Sequence, residues 1–172
     1  CGLMYAAKKY MVPYLVALCI KYIESNMSIR NVLTIFNFAD LIQEEALMTM
    51  CINLICKHPS IILNNESEHI SGLCLREILT QDYINISEID LIKYAIHWAH
   101  NECIEQDMIP SKENVREVLL KFGCFYKLRF ATLSLADLDC LRVLGILTNS
   151  ELLHLNYIHT MRFKDERIPI MD

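Results

Sequence analysis

Apolar residues recur along most of this chain at spacings of three and four, the period of a half-buried α-helix, and few stretches alternate as a strand does. Residues 3–12, "LMYAAKKYMV", predict a short helix that Pro13 stops, the proline itself opening the next helix at its first position. In that second helix Leu15, Leu18, Cys19, Tyr22 and Ile23 are expected to form the buried face. A third helix lies in "SNMSIRNVLTIFNFADLI", with Ser28 as the expected N-cap and Met27 able to staple onto Val32. Its core stripe is Ile29, Val32, Leu33, Phe36 and Ala39, and a second apolar line runs through Ile35, Phe38 and Ile42. Such a helix is either covered on both sides or offers one face to a partner. Residues 44–58 predict a fourth helix, greasy on more than one side and ended by Pro59. "PSIILN" and the polar loop "NESEHIS" then lead to a fifth helix around Leu73 to Leu79.

The stretch from residue 79, "LTQDYINISEIDLIKYAIHWAHNE", is a polar hinge running into a long amphipathic helix. Ser87 is the expected N-cap, Asp90 stands at the capping-box position, and Ile86 can staple onto Leu91. Ile89, Ile92, Ala95, Ile96, Ala99 and Cys103 line one side, which Leu91 and Trp98 widen into a broad band. Asp90, Lys93, His97, His100 and Asn101 form the wet stripe. The same start signal recurs at Ser111 and at Ser134, where Asp137 takes the box position and Leu133 can staple onto Leu138. A last helix is expected from Asn149 to Met161, followed by a charged exit linker, "RFKDERIP". Short connections favour antiparallel helix hairpins stacked side by side, and no fixed repeat period is present. The fold class is all-α.

Composition narrows the function. The 172 residues fit one domain, or one domain with pieces of its neighbours, and with 53% apolar residues against four Gly and four Pro they favour a helical core over a sandwich or barrel. A net charge of −5, with no basic run longer than Lys8-Lys9, lacks the footprint that phosphate binding needs, so nucleic acid is not an expected partner. Eight cysteines, most of them inside apolar runs and none in a CxxC pair, read as small buried hydrophobes of a reducing compartment, cytoplasm or nucleus. "KKYMVPYLVALCI" is interrupted by Pro13, lacks a cleavage site and is too short to span a bilayer, so neither a signal peptide nor a membrane anchor is expected. Beginning at Cys1, the chain is expected to be part of a longer protein.

The search for reaction chemistry finds little. His97, His100 and Cys103 are the best metal candidates, but His97 and Cys103 are six residues apart and so about 120° from each other around the helix axis. Two solvated histidines and a core cysteine are the simpler expectation, as is packing for Cys51, Cys56 and His58. No Gly-rich loop and no GxSxG motif occurs, and Glu44-Glu45 at a helix start complements the helix dipole. No cofactor, metal or catalytic residue is expected. Trp98, beside Leu91 and Ala95, is expected to anchor the core, with a protein-contact hot spot as the other reading.

The hinge and helix from residue 79 resemble the central motif of the BACK domain, with Asp82, Ile84, Asn85, Ile86, Ser87, Glu88 and Trp98 at the matching places. "LMYAAKKYMVPYLVALCIKYIESN" resembles the last two helices of a BTB (POZ) domain, and "NMSIRNVLTIFNFADLI" with the following helix resembles the three-box. "KFGCFYKLRFATLSLADL" is similar to the family's arginine-containing turn, although Ala131 stands where the family often has proline. The resemblance implies residues 1–25 as the end of a BTB domain, 26–148 as three-box and BACK domain, and 149–172 as a last helix and linker to a further domain. It is nearest in flavour to the subgroup that continues into a β-sandwich PHR domain. What it implies is a non-enzymatic substrate adaptor for a RING ubiquitin ligase of the type-three cullin class, with the BACK region setting the distance to a substrate-reading domain elsewhere on the chain. Homodimerisation would need the complete BTB domain. Ile35, Phe38 and Ile42 are the candidate partner-binding residues, burial against the fourth helix being the alternative. An all-helical interaction domain unrelated to ubiquitination, and an enzyme centred on His97 and His100, are the competing classes.

Overall fold

Helices leave their first N–H and last C=O groups without partners inside the helix, and short helices feel this most. This chain answers with serine at one end and left-handed turns at the other. The computed structural model describes residues 2–59 and 70–165, with side chains to residue 161. These form α1 (Gly2–Lys9), α2 (Pro13–Asn26), α3 (Val32–Leu41), α4 (Glu45–Lys57), α5 (Gly72–Leu79), α6 (Glu88–Glu105) and α7 (Lys112–Lys121). Two 3-10 turns (Phe125–Lys127 and Phe130–Thr132), α8 (Leu135–Leu144) and α9 (Asn149–Asp165) follow. Among the described residues there is no strand, as the apolar spacing predicts. The short segment and polar loop expected after Pro59 fall mostly on residues 60–69, and the end of the charged linker on 166–172, outside the described residues.

Ser71, Ser87, Ser111 and Ser134 each accept the backbone N–H three residues on, at 3.2–3.3 Å. Only at Ser134 is a complete serine box recorded, Asp137 accepting the Ser134 N–H at 3.2 Å. At Ser87 the Asp90 carboxylate accepts the serine hydroxyl at 2.5 Å. The cap expected at Ser28 does not form: its N–H donates to Asn31 Oδ1 at 2.7 Å, and the helix begins at Val32, with Asn31 as N-cap residue. Asparagine takes the serine's N–H into a local turn and so delays the helix by one turn.

Helix exits show the same economy. Val12, Glu44, Met108 and Cys124 each donate a backbone N–H to a carbonyl five residues back, at 2.8–2.9 Å. Each follows a residue with positive φ: Met11 (56°), Gln43 (53°), Asp107 (56°) or Gly123 (72°). The first helix therefore ends at Lys9 rather than running to residue 12, because Pro13 disfavours helical backbone at Val12, which sits at φ −105°, ψ 82°. The last helix is longer than expected, reaching Asp165.

The chain divides into two compact units, Cys1–Ile86 and Ser87–Asp172. In the first, α1 packs on α2, and α4 contacts α2, α3 and α5. Val32, Leu33, Phe36 and Ala39 of α3 are buried, as are Leu47, Cys51, Ile52, Ile55 and Cys56 of α4. Helix α2 corrects the expected face. Leu15, Cys19 and Ile23 are half-buried as expected, but Leu18 and Tyr22 are exposed, and Val16 and Ile20 join Cys19 and Ile23 in packing on Met4, Ala39 and Leu47. Both rows have helical spacing, so periodicity alone leaves the rotation of the helix open.

In the second unit α6 packs on α7, and α9 packs on α8 and on the second 3-10 turn. Ile92, Ala95, Trp98, Ala99 and Cys103 are buried and Asp90, Lys93, His97, His100 and Asn101 are exposed, as the pattern predicts. A clamp joins α7 to the start of α9. Arg116 donates to Glu151 at 2.7 and 2.9 Å and to the Ile146 carbonyl at 2.7 Å. Its guanidinium lies 4.2 Å from the centre of the Phe125 ring. Glu151 also accepts the Thr148 N–H at 2.8 Å while Thr148 caps Glu151, closing a second box. The Arg116 hydrogen bond first, and the Thr148 contacts with it, hold the Glu151 carboxyl down at about 2.

Two outcomes follow from these ends. Met11→Gly, at an exposed left-handed position, should raise unfolding free energy by about 1 kcal/mol in a urea titration, since the side chain there costs about that much. Glu151 has a folded-state pKa below its ordinary value of 4.5, so its contribution is present above that pH and is lost as the pH falls towards about 2. In Glu151→Gln the stability profile measured across that interval should be flatter than in the natural chain.

Candidate protein-interaction surface

The hinge residues are tied to the end of α4. Asn85 donates its backbone N–H to the Cys56 carbonyl at 2.9 Å and its Nδ2 to the Lys57 carbonyl at 3.4 Å, satisfying groups that α4 leaves open. Ser87 then caps α6, and Glu88 in its first turn accepts from Arg129 Nε at 3.2 Å. Arg129 belongs to the turn before α8, so two sequence motifs 41 residues apart meet through one ion pair. Trp98 is 4% exposed and meets Phe122 edge-on, with ring centres 5.3 Å apart. Asp82 and Tyr83 are exposed at the hinge. Of the motif residues, then, Asn85, Ser87, Glu88 and Trp98 have roles inside the fold.

The three candidate contact residues of α3 occupy an intermediate position. Ile35, Phe38 and Ile42 are each half-buried. Phe38 and Ile42 rest on the cluster of Met4, Ala39 and Leu47 from one side, leaving part of each side chain at the surface. Lys8 fixes this edge. Its Nζ donates to the carbonyls of Ile42 at 2.9 Å and Gln43 at 3.3 Å and to Glu44 Oε2 at 2.7 Å. A cation at the C-terminus of α3 is where the helix dipole favours it. Glu44 is thus an ion-pair partner of Lys8, in the N-cap position of α4. Leu41 beside these residues is 78% exposed, and it belongs to neither apolar line of the sequence. Its signal was a large aliphatic residue standing off both stripes in a helix rich in apolar residues. Tyr10, Met11, Tyr14 and Tyr22 add further exposed apolar surface on α1–α2 and their connection.

The groups that could have done chemistry are kept apart. Cys103 is fully buried while His97 and His100 are exposed, His97 standing 3.3 Å from the Asn101 amide. Cys51 and Cys56 are buried and His58 is exposed. Burial pushes the Cys51 thiol up to about 12 and raises those of Cys56, Cys74 and Cys103, which disfavours a free nucleophilic thiolate at these positions. Among the described residues no group of three or more His, Cys, Asp or Glu side chains is placed to hold a metal ion. No described helix is long and apolar enough to cross a membrane.

Such an arrangement, all helix with its distinctive residues spent on packing and its edges apolar, defines a protein-interaction module. The BACK family (BTB And C-terminal Kelch) matches residues 32–139, and the chain belongs to it. It is 34% identical over 140 residues to BTB/POZ domain-containing protein 3 of Homo sapiens, an alignment covering 78% of this chain and 26% of that protein. To BTB/POZ domain-containing protein 6-B of Danio rerio it is 30% identical over 140 residues, 78% of this chain and 28% of that protein. The chain therefore spans about a quarter of the length of these curated relatives. No solved structure matches it.

Two substitutions separate packing from surface on α6. Trp98→Ala should cost about 3–5 kcal/mol in chemical denaturation. The double change His97→Ala with His100→Ala should stay within about 0.5 kcal/mol of the natural chain, as exposed positions do.

Proposed function

We infer that this chain is the helical part of a substrate adaptor for a RING ubiquitin ligase of the type-three cullin class, and that it carries no catalytic site of its own. In this reading residues 1–25 are the end of a BTB domain, 26–148 the three-box and BACK domain, and 149–172 the last helix and linker to a further domain. A PHR domain is the proposed continuation. The BTB domain dimerises, the substrate binds elsewhere on the full protein, and the adaptor works in the cytoplasm or nucleus. Family membership supports the adaptor class, and free cysteines throughout the described residues fit a reducing compartment.

The observation that carries the cullin contact is the edge of α3. Phe38 and Ile42 are anchored on one side and open on the other, with Leu41 projecting beside them and Lys8 pinning the helix end. Apolar side chains held rigidly at a surface lose little entropy when a partner covers them, which suits a docking ridge.

A pull-down tests it, using the protein with its complete BTB domain and a type-three cullin. Leu41→Asp and Phe38→Asp should each reduce recovery at least about tenfold, the cost of burying an unpaired carboxylate at a contact. Leu41 is exposed enough for its variant to keep the helical circular-dichroism spectrum, so recovery equal to the natural protein removes this edge from the interface.

A further inference from the structure

On another side of α4, a cleft of about 330 Å³ opens between that helix and α5. Its apolar lining is Met48, which is half-buried, with the more deeply buried Ile52 and Phe36. Its lining also includes Glu45, Asn53, Glu77 and Gln81, and among the described residues no cation. The nearby cation Arg76 lies outside the lining and reaches Glu77 only at 3.5 Å, with both side chains well exposed. Two negative groups from two helices thus border a concavity whose base is apolar.

We propose that this cleft receives the side chain of an arginine carried by a partner protein. The chemistry of the lining selects it. An arginine stem is a run of methylenes that can lie on Met48 and the edge of Ile52, and its guanidinium is a planar fork of five donors that carboxylates and amide oxygens can share. A lysine offers a single point charge to carboxylates that stand on separate helices. A divalent cation of the oxygen-seeking kind takes about six to eight oxygen ligands, and an apolar floor supplies none. The charge balance agrees, for the described lining has two acids and no base, Arg76 pairing with Glu77 from outside it. The inference rests on the adaptor reading only for the source of the arginine, and it concerns a different surface from the α3 edge.

The test uses the 172-residue chain and two small probes, N-acetyl-arginine methylamide and its uncharged near-isostere N-acetyl-citrulline methylamide, titrated by NMR. The arginine probe should shift the backbone amide signals of Thr49, Asn53 and Gln81 saturably. It should bind about tenfold more tightly than the citrulline probe, the advantage of a charge-assisted pair in a half-open site. Glu45→Gln combined with Glu77→Gln should make the two probes equal. Equal shifts by both probes on the natural chain, or arginine-induced shifts scattered over the acidic surface without saturation at the cleft, would overturn the proposal. Should the double variant fail to fold, the comparison of the two probes on the natural chain decides alone. That outcome is independent of the cullin pull-down, so the two readings fail separately.

Discussion

Short helices confront a fixed difficulty, because four amides at one end and four carbonyls at the other lack partners within the helix. In eight-residue helices such as α1 and α5 those groups are half of the backbone donors and acceptors. Here the partners come from three sources. Serine and threonine side chains cap the starts of α5 to α9, left-handed residues close several ends, and some carbonyls at other ends are met by side chains from distant parts of the chain. Lys8 serves Ile42 and Gln43, Asn85 serves Lys57 with its backbone N–H on Cys56, and Arg116 serves Ile146. Each of these last contacts joins one helix end to another element, so the need to satisfy a helix end also places the helices.

Seen this way, residues that mark the family are explained by construction. Asn85 ends α4, Ser87 begins α6, Glu88 meets Arg129, and Trp98 packs on Phe122. A motif of this kind identifies the fold, and it says little about contacts with partners, which fall on side chains that the fold leaves over. Leu41 at the α3 edge is one side chain that the packing leaves exposed. The buried thiols belong with the construction, since desolvation makes them poor nucleophiles and leaves them as packing groups.

The division between sequence and structure falls along the same line. Apolar periodicity was enough for the all-α class, for the wet histidines and buried tryptophan of α6, and for the serine starts at Ser87, Ser111 and Ser134, because each depends on residues within one or two turns. What depended on other helices was not legible. The side that α2 packs inward, half-buried at Val16 and Ile20 rather than at Leu18 and Tyr22, is chosen by where Met4, Ala39 and Leu47 lie. The Lys8 ammonium is bound by the end of α3, far away in sequence, and Phe38 and Ile42 are half-buried against the cluster of Met4, Ala39 and Leu47. Local hydrogen bonding and helical period are properties of consecutive residues. The rotation of a helix, the partner of its last carbonyl and the exposure of its edge are properties of what packs against it, and only the tertiary structure decides those.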